Sequence, residues 1–143
     1  MPQVYQKQKA KEKDWADIWQ AGNGAPGLEA SLPVMLTEGI NKGRITMQKL
    51  VEVMCENPAK LFRIFPKKGT LQVGADADVV LVDLNKEYTV DAAKFHSVVK
   101  HSPFNGFAVK GAPVLTMVRG TVVAENGEVV AQPGHGKMVR PIK

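Results

Sequence analysis

The sequence predicts an α+β fold in which helices come first and a mostly antiparallel β-unit follows. Three observations carry this. Apolar residues recur at helical spacing from Leu28 to about residue 64. From Lys68 onward the apolar residues fall into short strand-like runs instead. Asn126-Gly127, set between two such runs, is a strong hairpin signal. The length of 143 residues bounds the answer. It suits about one domain, and it excludes a complete (β/α)8 barrel, which needs about 250 residues.

Three segments follow from this reading: an arm and Gly-rich loop over 1–27, a helical segment over 28–66, and a β-rich segment over 67–143. Within the arm, Trp15, Ile18 and Trp19 have the spacing of one short helical turn, while Gly22, Gly24, Pro26 and Gly27 read as loop. The first helix carries Leu28, Leu32, Met35, Leu36 and Ile40, with Pro33 in its first turns and Gly39 and Gly43 closing it. Thr46 is the expected cap of a second helix with Met47, Leu50, Val51 and Met54 as its apolar stripe. Asn57-Pro58 is expected to break the helix and restart it, Asn57 as cap, with Leu61, Phe62 and Phe65 on the apolar side.

The strands are expected in this order: Thr70–Val73, Ala77–Leu84, Tyr88–Val90, Val114–Val118, Thr121–Ala124 and Val129–Ala131. The run Val79-Val80-Leu81-Val82 reads as a strand buried on both faces, ended by Asp83 and Asn85. The tail from Pro133 reads as loop.

Composition narrows the function classes. With 44% hydrophobic and 23% charged residues, the chain is expected to be a folded soluble domain rather than a disordered one. No apolar run approaches a membrane span, and the Lys-rich start has no apolar secretory core, so a cytoplasmic protein is the expectation. A single cysteine, Cys55, forbids an intrachain disulfide and suits a reducing compartment. The net charge of +5 comes from scattered lysines, and aromatics make up only 6%. Without a basic face interleaved with aromatics, no nucleic-acid partner is expected.

The residues that usually carry chemistry do not cluster. His96, His101 and His135 lack the spacings of metal-binding pairs and read as exposed or structural. Asp76, Asp78 and Asp83 flank a turn and a strand end, where Asp bonds local backbone. Cys55, beside Met54, reads as a small buried hydrophobe. Neither a phosphate-binding loop nor a serine elbow is present.

Several stretches are specific when taken in order. They are Asn23-Gly24-Ala25-Pro26-Gly27-Leu28-Glu29, Leu32-Pro33, Gly43-Arg44-Ile45-Thr46, Asn57-Pro58-Ala59-Lys60-Leu61-Phe62, Lys68-Gly69-Thr70-Leu71, Gly74-Ala75-Asp76-Ala77-Asp78-Val79-Val80, Ser102-Pro103-Phe104-Asn105-Gly106 and Val118-Arg119-Gly120. From about Trp15 to Arg140 the chain resembles the C-terminal third of the cyclic amidohydrolases. That group contains D-hydantoinase/dihydropyrimidinase, allantoinase and dihydroorotase.

The resemblance implies a particular fold: the terminal helices of an incomplete (β/α)8 barrel, followed by a mostly antiparallel, β-sandwich-like unit. It also implies a parent chemistry, in which one or two zinc ions activate water to attack a cyclic amide carbonyl. The family's ligands are an HxH pair, a carboxylated Lys, two further His and an Asp. All lie upstream of the matched segment, so no catalytic or metal residue is assigned here and no cofactor is expected in this chain. The Asn-Gly of the Asn-Gly-x-Pro-Gly loop presents backbone to the cyclic substrate in such relatives, which assigns Asn23 and Gly24 as substrate-binding.

Two functions are therefore expected. One is a fragment of a cyclic-amide hydrolase, inactive alone or completed by a companion barrel chain. The other is a non-catalytic oligomerisation or interaction module. A shortened barrel would leave Leu28, Leu32 and Leu36, and Leu50 with Met54, uncovered, which favours self-association.

Overall fold

The computed structural model describes residues 26–98 and 100–142. The expected turn at Trp15, Ile18 and Trp19 lies outside them. Helix α1 spans Leu28–Met35 and runs directly into a π-helical turn, Leu36–Asn41. Gly27 sits at its N-cap, accepting the Ala30 N–H at 3.1 Å. Pro33 is buried inside α1, in its second turn.

Gly39 does not close the helix. It lies within the π-helical turn, where a Cβ would sit 2.9 Å from the Ile45 side chain, so its bareness lets Ile45 fold back over the helix. Gly43, at φ +65°, ends the helix, and the Arg44 N–H returns to the Gly39 carbonyl at 2.8 Å.

Thr46 caps α2 (Met47–Val51), its hydroxyl accepting the Lys49 N–H at 3.2 Å. The expected break at Asn57-Pro58 does not occur. A π-helical turn, Glu52–Glu56, leads into α3 (Asn57–Leu61), and Asn57 itself has helical dihedrals, φ −63° and ψ −45°. Pro58 cannot donate a hydrogen bond, but it falls where the bonding register returns from i+5 to i+4. The missing N–H therefore costs less there than in a regular helix interior.

Four antiparallel strands form one sheet in the order β1-β2-β3-β4: β1 Val79–Thr89, β2 Ala108–Val118, β3 Thr121–Glu125 and β4 Glu128–Val129. The two tight turns use the positive-φ geometry that matches strand twist: Arg119 and Gly120 at 49° and 78°, Asn126 and Gly127 at 51° and 92°. The expected strands at Ala77–Leu84 and Tyr88–Val90 are one strand. Asp83 accepts the Asn85 N–H at 2.8 Å and bends the chain without ending it, and the register against β2 slips between Asp83 and Glu87. Thr70–Val73 is not a strand. Leu71, Gln72 and Val73 face solvent, and no strand pairs with the segment among the described residues.

The core lies between α1 and the sheet. Ala30, Val90 and Val109 are buried together, with Val34, Phe95, Phe104 and Phe107 packed on them. Phe104 and Phe107 meet edge to face, centroids 6.5 Å apart. The π-helical turn and β2 come close together at Gly111, φ +105°, where a Cβ would stand 2.8 Å from the Leu36 Cβ. Leu36 is fully buried beneath it. Beside it Thr37 Oγ1 accepts the Lys110 N–H at 2.9 Å and Asn41 Nδ2 donates to the Lys110 carbonyl at 2.7 Å.

Three burial expectations change. Val80 and Leu81 are 46% and 52% exposed, because β1 is an edge strand and the helices pack on β2 instead. Leu36 and Leu50 are buried within the chain, whereas Leu28 and Met54 remain exposed, joined by Leu61 at 78% and Phe62 at 65%. Cys55 is likewise exposed rather than buried, because it lies on the outer side of the π-helical turn. Among the described residues the tail has no regular structure beyond β4, yet it crosses back to the helices: the Ile142 N–H donates to the Arg63 carbonyl at 2.7 Å.

Candidate functional site

Among the described residues, polar side chains of several motifs gather into two clusters. The first joins the start of α1 to the segment after the 3₁₀ turn Ala92–Lys94. Glu29 accepts the backbone N–H groups of His96 and Ser97, both at 2.9 Å, and its carboxylate stands 3.3 Å from His96 Nδ1. Burial works upward on this carboxyl, but the two backbone donors and the imidazole outweigh it and hold Glu29 below the usual carboxylate range. The same region is pinned from below. Asn105 Oδ1 accepts the Ala92 N–H at 2.8 Å, and the fully buried Ser102 accepts the Phe104 N–H at 3.3 Å. Ser102-Pro103-Phe104-Asn105-Gly106 is thus a hydrogen-bonded bracket for the loop that carries His96.

The second cluster ties three motifs together. Lys68 Nζ lies 2.9 Å from Asp76 and also pairs with Asp78. The other oxygen of Asp78 accepts the Arg119 N–H at 2.9 Å, at the turn into β3. Arg119 in turn donates to the His135 carbonyl, and the His135 ring faces the Val118 carbonyl at 3.2 Å. Burial disfavours the charge on Asp78, yet Lys68 and the Arg119 N–H prevail and lower its pKa. Burial likewise opposes the charge on Lys68, and the two carboxylates outweigh it and raise its pKa. Gly69 (φ +85°) holds the neighbouring backbone against α3, where a Cβ would fall 2.5 Å from Ala59 Cβ.

These arrangements hold backbone in place. Asp83 bonds local backbone as its position in the sequence indicates, but Asp78 reaches a residue far along the chain. His96 is bound to Glu29, His135 to the β2 end, and His101 is exposed. Sequence reasoning missed Lys68 as the cation between two carboxylates, and Glu29 as the partner of His96. Glu29, Asp76 and Asp78 all sit in the sequence motifs, but nothing local marks a contact across such separations.

Asn23 and Gly24 lie outside the described residues. The last residue of their motif, Glu29, is the one clamped to His96 and Ser97. His96 also borders a shallow cleft of about 130 Å3 between Pro113, Leu115, Thr116 and Val129. Substrate pockets usually measure about 300–1,000 Å3, so this cleft is small for one. Among the described residues no three His, Cys, Asp or Glu side chains converge as metal ligands. Glu29, Asp76 and Asp78 are each engaged with a neighbouring cation or N–H. The described residues therefore do not fit a one- or two-metal centre.

Comparison with known proteins accounts for the motif set. Residues 22–123 match the Amidohydrolase family. The chain is 64% identical over 129 residues to the L-hydantoinase of Paenarthrobacter aurescens, which covers 90% of this chain and 28% of that protein. It is 48% identical over 103 residues to the dihydroorotase of Acetivibrio thermocellus, covering 72% of this chain and 24% of that one. The solved L-hydantoinase (dihydropyrimidinase) from Arthrobacter aurescens superposes with a TM-score of 0.82 at 64% identity, over 89% of this chain and 28% of that one. The chain thus spans about a quarter of the length of these relatives. Its motifs hold a fold shared with enzymes that open cyclic amides, and the chain belongs to the amidohydrolase family.

Proposed function

We propose that this chain forms the C-terminal part of a metal-dependent hydrolase of cyclic amides of the hydantoinase, dihydropyrimidinase, allantoinase or dihydroorotase type. In this reading α1 to α3 are the final helices of a (β/α)8 barrel, and the four-stranded sheet is part of a β-sandwich-like unit beside it. The carrying observation is the combination of 64% identity to an L-hydantoinase with coverage of only 28% of it. Enzymes of the family are generally metal-dependent. The zinc ligands would come from a barrel that this segment does not contain, since a metal hydroxide needs three or more protein ligands to hold it. Asn23 and Gly24 would offer backbone groups to the cyclic ring once the barrel is complete.

The chain by itself is then inactive. The test is hydrolysis of hydantoin and dihydrouracil by the pure protein, with zinc counted per chain. No turnover and no stoichiometric zinc is the expected result, and activity is expected to return when a barrel segment from a relative is supplied. Turnover by the pure chain with one bound zinc would sink this reading.

A second reading is favoured by the exposed apolar side chains of β1 and α3: a non-catalytic module that associates through them. A companion barrel chain and a second copy are the two partners that this surface would take.

A further inference from the structure

Helix α1 opens without the usual fastening. Gly27 at its N-cap has no side chain to offer, and no side-chain cap bond is made. The Ser31 hydroxyl donates only to the Leu28 carbonyl of the same turn, at 2.7 Å. Among the described residues two neighbours anchor this turn to the rest of the fold. Ala30 is buried against Val90 and Val109, and Glu29 accepts the N–H groups of His96 and Ser97, both at 2.9 Å. Apolar burial is non-directional, so Ala30 leaves the turn free to tilt. Two N–H groups converging on one carboxylate fix direction as well as distance. Their segment is held in its turn, because Phe95 packs on the core and Asn105 Oδ1 accepts the Ala92 N–H.

In the barrel reading above, α1 starts at the end where active sites are built, since the loops that enter the helices carry them. Asn23 and Gly24, assigned there to the cyclic substrate, belong to the stretch that leads into α1. We infer that Glu29 is a positioning residue for hydrolysis of the cyclic amide: by clamping the start of α1 to His96 and Ser97, it fixes where that stretch enters the helix. This deepens the proposed function and rests on it, and it gives the β-unit a part in substrate binding. Glu29 acts through the backbone and not on the reacting atoms. A misplacement of about 1 Å is enough to lose much of an oriented contact. The loss falls on substrate binding, and the bond-breaking step, whose groups lie outside this chain, changes little.

The test sets the whole chain in place of the matching segment of the L-hydantoinase relative, 64% identical over 129 residues, and follows hydrolysis of a hydantoin that the relative turns over. Folding of the hybrid and of each variant is checked by circular dichroism. Glu29→Ala is expected to raise KM about tenfold, the worth of one hydrogen bond to a charged group, with kcat changed less than about threefold. Glu29→Gln keeps an oxygen to accept the N–H groups and is expected to recover most of that loss. Ser31→Ala breaks a bond inside the same turn and is expected to leave KM unchanged. Amide exchange in the 143-residue chain itself gives a readout without activity. There Glu29→Ala is expected to speed exchange at Ala30, His96 and Ser97 together. A folded hybrid without turnover would overturn the proposed function and this role with it. An active hybrid whose KM ignores Glu29→Ala, or responds equally to Ser31→Ala, would overturn the role alone. Faster exchange at His96 and Ser97 but not at Ala30 would do the same, since the carboxylate would then hold the loop and not the helix start.

Discussion

Asp78 shows how one side chain can hold distant pieces of chain. One oxygen faces Lys68 and the other accepts the Arg119 N–H, so Asp78→Asn removes the ion pair and leaves a weaker acceptor at the turn into β3. Because the carboxyl is about a third exposed, water screens part of this loss. The expected cost is about 1–2 kcal/mol in urea unfolding at neutral pH. The pH dependence has a definite sign. A carboxyl with a lowered folded pKa stabilises fully above its unfolded value of about 3.9 and loses that contribution as pH falls through the folded pKa. Lys68, raised in the fold, contributes fully below about 10.4 and loses its share as pH climbs through the raised value. The Asp78→Asn variant should therefore show a flatter acid limb than the wild type. An unchanged acid limb would mean that this carboxyl is not tied as described.

At the scale of elements, the decisive contact is the pressing of β2, at Gly111, on the π-helical turn that follows α1. Alanine there meets two obstacles at once: a positive φ and a Cβ 2.8 Å from Leu36. Gly111→Ala is expected to cost about 2–4 kcal/mol, read as a clear fall in the thermal midpoint. How legible the elements are from sequence follows from how local their causes are. Thr46, Gly43 and Asn126-Gly127 act within a few residues, and the cap, the helix end and the hairpin stand where those residues indicate. The continuation through Asn57-Pro58 is not legible, because it depends on a change of hydrogen-bond register in the preceding turn. Nor is the exposure of Val80 and Leu81, since an apolar run has the same spelling in a central strand as at an edge. The polar clusters hide for another reason. Glu29 with His96, and Asp78 with Arg119, join residues that only the finished topology brings within reach.

For the molecule as a whole, the distribution of exposed apolar surface matters most. The largest buried cluster lies between α1 and the sheet, with Leu50 and Ala59 buried under the later helices, while Met47 and Val51 on α2, Val53 and Met54 in the turn after it, Leu61 on α3 and Phe62 just beyond it are exposed. The most exposed of them, Leu61 and Phe62, therefore add little to the stability of the separate chain and much to its stickiness. The double substitution Leu61→Gln/Phe62→Gln is expected to reduce binding of a hydrophobic dye and raise solubility, with the unfolding midpoint nearly unchanged. A large loss of stability would show that these side chains are covered in solution. In relatives that are more than three times as long, the same positions have far more chain available to cover them.

The bond from Ile142 to the Arg63 carbonyl has a consequence for the order of folding. It closes a loop that contains the entire sheet, and the entropy of closing a loop grows only with the logarithm of its length. Its late place in assembly is therefore set by connectivity: the strands between its ends must be laid down before the ends can meet. A tie of this kind is the last to form and the first to fray. On warming, the Ile142 amide should exchange with solvent well before those of β2, and the chain should peel from its C-terminus inward.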